Sequence, residues 1–168
     1  METFEESKRW ADQFMPEIKT ILGLYLIGEA SEEDDMKRNT DLIVLKMDGV
    51  RIAVRVRKKG YAEMYGDEFT IRTKRPSGTK TEIDKIIEGW GDYFFYGHEG
   101  EALNLSAWAL CNLKVFRGWV SNYLWTHKTA PGEKRANRDG SSSFHVFRFD
   151  QLPDDFVVAR KTYRGSNP

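Results

Sequence analysis

The chain has 168 residues, enough for one domain with its own core, and its 40% hydrophobic and 31% charged content is that of a water-soluble globular protein. Its 26 basic residues balance 26 acidic ones, which excludes a uniformly polycationic binder and leaves any charge-driven function to local patches. The single cysteine, Cys111, excludes an intrachain disulfide, and no apolar run reaches the roughly 20 residues that span a bilayer. METFEESKRW carries no apolar signal segment, so a cytoplasmic protein without a membrane partner is expected.

Trp10, Phe14, Ile18, Ile21, Leu22 and Tyr25 recur at three- and four-residue spacing and predict a helix over 5–26, which Pro16 kinks or divides. Gly28 permits a change of direction. The acidic stretch EASEEDD at 29–35 then reads as a loop. TDLIVLKMDGVRIAVRVR at 40–57 predicts a β-hairpin turning at Asp48-Gly49. Residues 61–67 read as a loop and EFTIRTKR at 68–75 as a strand. A helix is expected within 77–90, opened by one of two competing capping frames, Thr79 with Glu82 or Thr81 with Asp84.

DYFFYGH at 92–98 reads as an aromatic strand. Residues 100–113 suggest a turn and a further strand, with a short buried helix as the other reading. A helix over 114–126 would face Val115, Trp119, Tyr123 and Leu124 inward. KTAPGEKRANRDGSSS at 128–143 is the longest expected loop, and its Lys134, Arg135 and Arg138 are either solvated or in contact with an anionic partner. FHVFRF at 144–149 reads as a strand, 152–158 as a tail docking back, and 160–168 as a fraying end. The order predicts one α/β domain over 1–168, with a mixed central sheet flanked by helices.

Charge is concentrated locally. Residues 51–59 carry five bases and no acid. Arg51, Arg55 and Arg57 share one strand parity, with Lys58 and Lys59 following. They form either a solvated face, neutralised by the acids at 29–35, or a phosphate-binding surface. Arg72, Lys74, Arg75 and Lys80 form a second basic group around RPSGTK, a turn leading into a helix N-terminus. Trp90, Tyr93, Phe94, Phe95 and Tyr96 belong mainly to the core, with one strand face open to base stacking or a protein partner.

No GxGxxG, GxxxxGK[ST] or HExxH motif occurs. His98, His127 and His145 lack ligand-like clustering, and His98 is the histidine best placed for catalysis because it follows a core strand. Cys111 reads as a small buried hydrophobe.

The order of helix, acid-bearing hairpin, strand, helix and strand over about 5–98 resembles the core of the PD-(D/E)XK nuclease-like superfamily. Asp41, opening DLIVL, would match that family's metal-binding acid. In VRVRK, Arg55 would take the position of the second acid and Arg57 that of the lysine, and Glu17 matches a helix acid of some members. EFTIRTKRPSG followed by TKTEIDKIIEGWGDYFFYGH is similar to uncharacterised phage and prophage proteins, which implies a viral or prophage setting and a host-cytoplasm location.

Arginine cannot supply a metal's oxygen ligand and, as a permanent cation, repels the ion. The resemblance therefore implies a restriction-endonuclease-like core that binds DNA or RNA without metal-dependent hydrolysis and needs no cofactor. Two other readings stay open. One is an active Mg- or Mn-dependent nuclease with a relocated acid, drawn from Glu29, Glu33, Glu63, Asp67 or Glu68. The other is a protein-interaction factor acting on a host component.

Overall fold

The computed structural model describes residues 4–29, 42–44, 50–74, 77–137, 140 and 142–165. The chain forms two compact units, Met1–Val50 and Arg51–Pro168. Among the described residues no helix is long and apolar enough to cross a membrane.

In the first unit the expected long helix is two helices, α1 (Phe4–Asp12) and α2 (Met15–Leu26). Pro16 is the second residue of α2, where its missing N–H costs no helical hydrogen bond. Phe14 stands between the helices, fully buried, with the Trp10 ring edge-on at 5.4 Å. Ile18 and Ile21 are also buried, whereas Tyr25, expected inward, is exposed. Gly28 lies within β1 (Ile27–Glu29), which pairs antiparallel with β2 (Leu42–Val44). Most of the acidic stretch, together with Asp41, lies outside the described residues.

The second unit holds a mixed sheet in the order β3-β5-β6-β9. Strand β3 (Ile52–Arg57) runs parallel to β5 (Tyr93–Glu99). The partners of β5 and of β9 (Val157–Lys161) on β6 (Leu105–Asn112) are antiparallel. The expected 40–57 hairpin is thus replaced, among the described residues, by two other pairings: 42–44 with 27–29 and 52–57 with 93–99.

A parallel pair needs a long crossover. Here it contains α3 (Tyr61–Tyr65), β4 (Glu68–Lys74) and α4 (Glu82–Ile87). The first of these replaces an expected loop. Strand β4 belongs to a second, antiparallel sheet with β8 (Ser143–Arg148) and β7 (Glu133–Ala136). Strand β7 occupies what reads in sequence as a loop. It begins after Gly132, whose φ is 84°. A Cβ there would meet the Phe147 ring and the Val146 carbonyl at 2.8 Å, so only glycine lets the two strands close up.

Helix α5 (Leu113–His127) is capped by the Asn112 side chain, which accepts from Lys114 N at 2.9 Å. It buries Leu113, Phe116 and Val120, with Trp119 and Val115 against the same core, while Leu124 is exposed. Phe69 is the hub of that core. Its ring lies within 5.2–6.3 Å of Phe94, Tyr96, Phe116, Phe147, Phe149 and Phe156, which come from two sheets, α5 and the two 3₁₀ turns after β8. Six of the ten phenylalanines, with Tyr96, are spent on this cluster. The result is a mixed α/β fold with a central sheet and flanking helices.

Candidate anion-binding cleft

Helix α4 opens on the Thr81 frame. Thr81 N and Oγ1 donate to Asp84 Oδ2 at 2.7 and 2.8 Å. The choice of frame has a consequence. Glu82, which the Thr79 frame would have spent on a cap, is released to meet the neighbouring strands. Its Oε1 pairs with Arg55 Nη2, and its Oε2 accepts from Arg72 N at 2.9 Å. Arg55 Nη1 donates to the Thr70 carbonyl at 2.9 Å and to Thr70 Oγ1 at 3.1 Å.

Arg55 therefore brackets β3, β4 and α4, and its side chain is only 15% exposed. It is not on a solvated face, and both of its Nη groups are engaged within the protein. Glu82 is the residue that sequence reading missed. The Thr81–Asp84 spacing was the signal that could have freed it.

The remaining candidate cations do not form one surface. The Arg51 guanidinium lies 5.5 Å from the Trp90 ring centre, and the Arg51 N–H donates to Asp92 Oδ2 at 2.8 Å. Lys59 pairs with Glu101 at 2.7 Å and Lys80 with Glu88 at 2.6 Å. Lys58 and Lys74 are exposed, Arg72 is half-buried, and Arg75 lies outside the described residues. Glu17 lies on α2 in the first unit. Three of the five carboxylates considered as relocated ligands are engaged elsewhere: Glu63 with Tyr163 OH at 3.0 Å, Asp67 with Arg160 at 2.6 Å, and Glu68 with Arg135 at 3.3 Å, while Glu33 and the Glu29 side chain lie outside the described residues. Among the described residues, no three His, Cys, Asp or Glu side chains converge as metal ligands. Cys111 is buried, and burial pushes its thiol up to about 12, so it stays protonated.

Arg57 differs from Arg55. It ends β3 opposite His98 of parallel β5, one step beyond the Arg55–Tyr96 pair. Both line a cleft of about 720 Å³ whose wall also includes Tyr61, Glu68, Thr70, Tyr96 and Arg135. The cleft opens at the carboxyl ends of the two parallel strands, where open α/β sheets place their ligands. The Arg57 guanidinium rests 5.0 Å from the Tyr61 ring centre and has no carboxylate within ion-pair distance among the described residues.

His98 is 3% exposed, and among the described residues neither ring nitrogen has a hydrogen-bond partner. Burial, reinforced by the Arg57 and Arg160 charges, pushes its imidazolium down to about 4, so the ring is neutral near pH 7. Beside it, Thr70 Oγ1 and Tyr96 OH share a hydrogen bond of 3.3 Å. Arg135 reaches the cleft from β7, fixed by Glu133 at 2.7 Å and by Glu68. Burial holds the Glu68 carboxyl above its ordinary range, an effect the Arg135 charge partly counters.

A neighbouring cavity of about 640 Å³ is also lined by charged groups, several of which are engaged within the protein, although Arg164 on its wall has no ion-pair partner among the described residues. Lys59 meets Glu101, Tyr163 meets Glu63, and Lys161 Nζ donates to the Leu105 carbonyl at 2.7 Å. What sets the Arg57 cleft apart is a pair of adjacent groups: a cation without a counter-ion and a buried imidazole without a hydrogen-bond partner, both among the described residues. Such groups mark functional sites more often than satisfied ones do. No protein-family model, curated protein or solved structure matches the chain.

Proposed function

We propose that the chain is a nucleic-acid-binding protein that takes a backbone phosphate in the Arg57 cleft. The carrying observation is Arg57 itself, a half-buried guanidinium with no carboxylate partner among the described residues, beside the unpartnered His98. Guanidinium offers a planar fork of donors suited to phosphate, and neutral imidazole adds one further N–H. The restriction-endonuclease-like core and the phage setting belong to this reading. Within it, Arg55 is a structural cation: held by Glu82 and Thr70, it keeps a positive charge where a nuclease would keep a carboxylate.

Binding of short single-stranded and duplex oligonucleotides at low salt tests the reading. Arg57→Ala should weaken binding about tenfold, and the affinity should fall with added salt. Absence of binding to any strand form at low salt sinks it. Cleavage stimulated by magnesium or manganese and lost in Asp41→Ala would instead establish the nuclease reading. The protein-interaction reading is favoured by one observation, Trp125 at 77% exposure on α5. Loss of a co-purifying partner in Trp125→Ala would support it.

A further inference from the structure

We infer, resting on that reading, that the cleft accepts one unpaired nucleotide, with its phosphodiester at Arg57 and His98 and its base on Tyr61, so that single strands bind in preference to duplex.

Depth is the first argument. His98 is 3% exposed on the cleft wall with both ring nitrogens closed to solvent, so a phosphate meets its N–H only by entering the cleft and displacing wall atoms, which a rigid duplex met side-on does not do. An unpaired strand can turn one nucleotide inward.

Charge is the second argument. Of the cations on the wall, Lys59 and Arg135 are already paired, with Glu101 and with Glu133 and Glu68. Arg57 alone of these three lacks an acid among the described residues, and Glu68 adds a negative charge nearby. One unneutralised cation and one neutral donor suit the single charge of a phosphodiester better than a terminal phosphate, which approaches two charges at neutral pH.

The third argument is the ring now beneath Arg57. Tyr61 is 40% exposed, and the guanidinium that rests against it is held by a cation–π contact, weak at such a site. Binding exchanges partners. The guanidinium leaves the ring for the phosphate, the base takes the ring by stacking, and the His98 N–H gains an acceptor. Stacking of this kind is tolerant of base identity.

Fluorescence anisotropy with labelled oligothymidine, alone and annealed to oligoadenosine, tests this at low salt. Single strand should bind at least about tenfold tighter than duplex, with inorganic phosphate a poor competitor. Tyr61→Leu, at an exposed position, should weaken single-strand binding about fivefold or more and leave duplex binding unchanged. His98→Leu should weaken it, His98→Gln should keep most of it, and the His98 imidazole ¹⁵N signals should shift on adding oligothymidine. Equal or tighter duplex binding overturns this inference while the nucleic-acid reading stands, as does an unaffected Tyr61→Leu. Unmoved His98 signals together with a silent His98→Leu remove His98 from the site. Binding to neither form overturns both.

Discussion

Arg55 and Arg57 stand two residues apart on one strand and sit opposite Tyr96 and His98 of the same neighbour. Around Arg55 the polar groups are matched: Glu82 answers the charge, and Thr70 takes two of its hydrogen bonds. Around Arg57 they are not, and a wall of the cleft stands open beside it. One strand thus has a closed part that organises the fold and an open end with spare binding capacity. Residue type does not distinguish the two roles; the surrounding acids and carbonyls do.

The comparison can be broken from either side. The largest effect belongs to the packed side. Phe69→Ala should cost about 3–5 kcal/mol of stability in urea denaturation, because the ring is fully buried among six others. A loss under 1 kcal/mol would mean the cluster is loosely packed.

Acid should strike the open side next. Unfolded, the His98 imidazole binds a proton below about 6.5, whereas folded it does so only below about 4. The unfolded chain therefore binds more protons between those values. The His98 contribution to stability is complete above about pH 6.5, falls through that window by about 3 kcal/mol and is flat below it. His98→Leu should remove that portion of the acid slope, measured as denaturation midpoints across pH. An unchanged slope would show that His98 does not stay neutral.

Cutting the bracket comes third. Glu82→Ala leaves Arg55 partly buried and uncompensated, which should cost about 2 kcal/mol, less than a fully buried pair because Glu82 is one-third exposed. The smallest effect on stability is expected at Arg57. Arg57→Ala should change it by less than about 0.5 kcal/mol while reducing oligonucleotide binding about tenfold. If Arg57→Ala destabilised the protein as much as Glu82→Ala, the contrast between the two arginines would collapse.

Much of the second unit was legible because local signals agreed with tertiary pairing. Strands at 68–74 and 93–99 and the helix from 113 follow their periodicity closely. What was hidden is long-range. Alternation places Ile52–Arg57 in a strand but cannot say that its partner lies some 40 residues onward and runs parallel. The Asp48-Gly49 signal favoured a hairpin, and the ladders found for both expected arms lie elsewhere. Residues 133–136 carry loop-like charge, yet form a strand because β8 offers them an edge. Arg57 and His98 could each be named from sequence, but their juxtaposition required the parallel register. Glu82 stayed hidden because two capping frames competed and one of them would have spent its carboxylate on the helix cap.

The placement of β9 bears on how the protein is made. Strand β9 completes the sheet against β6, and Phe156 just before it is fully buried beside Phe69 and Phe116. Arg160 within it ties back to the Gly66 carbonyl at 2.7 Å and to Asp67. During synthesis the ribosome has released almost all of the aromatic cluster before these residues emerge. Until then β6 is an unpaired edge beside a core short of one ring, a condition that invites mispairing between nascent chains. Chains that stall before 156 should therefore depend on chaperones more heavily than chains that reach 161.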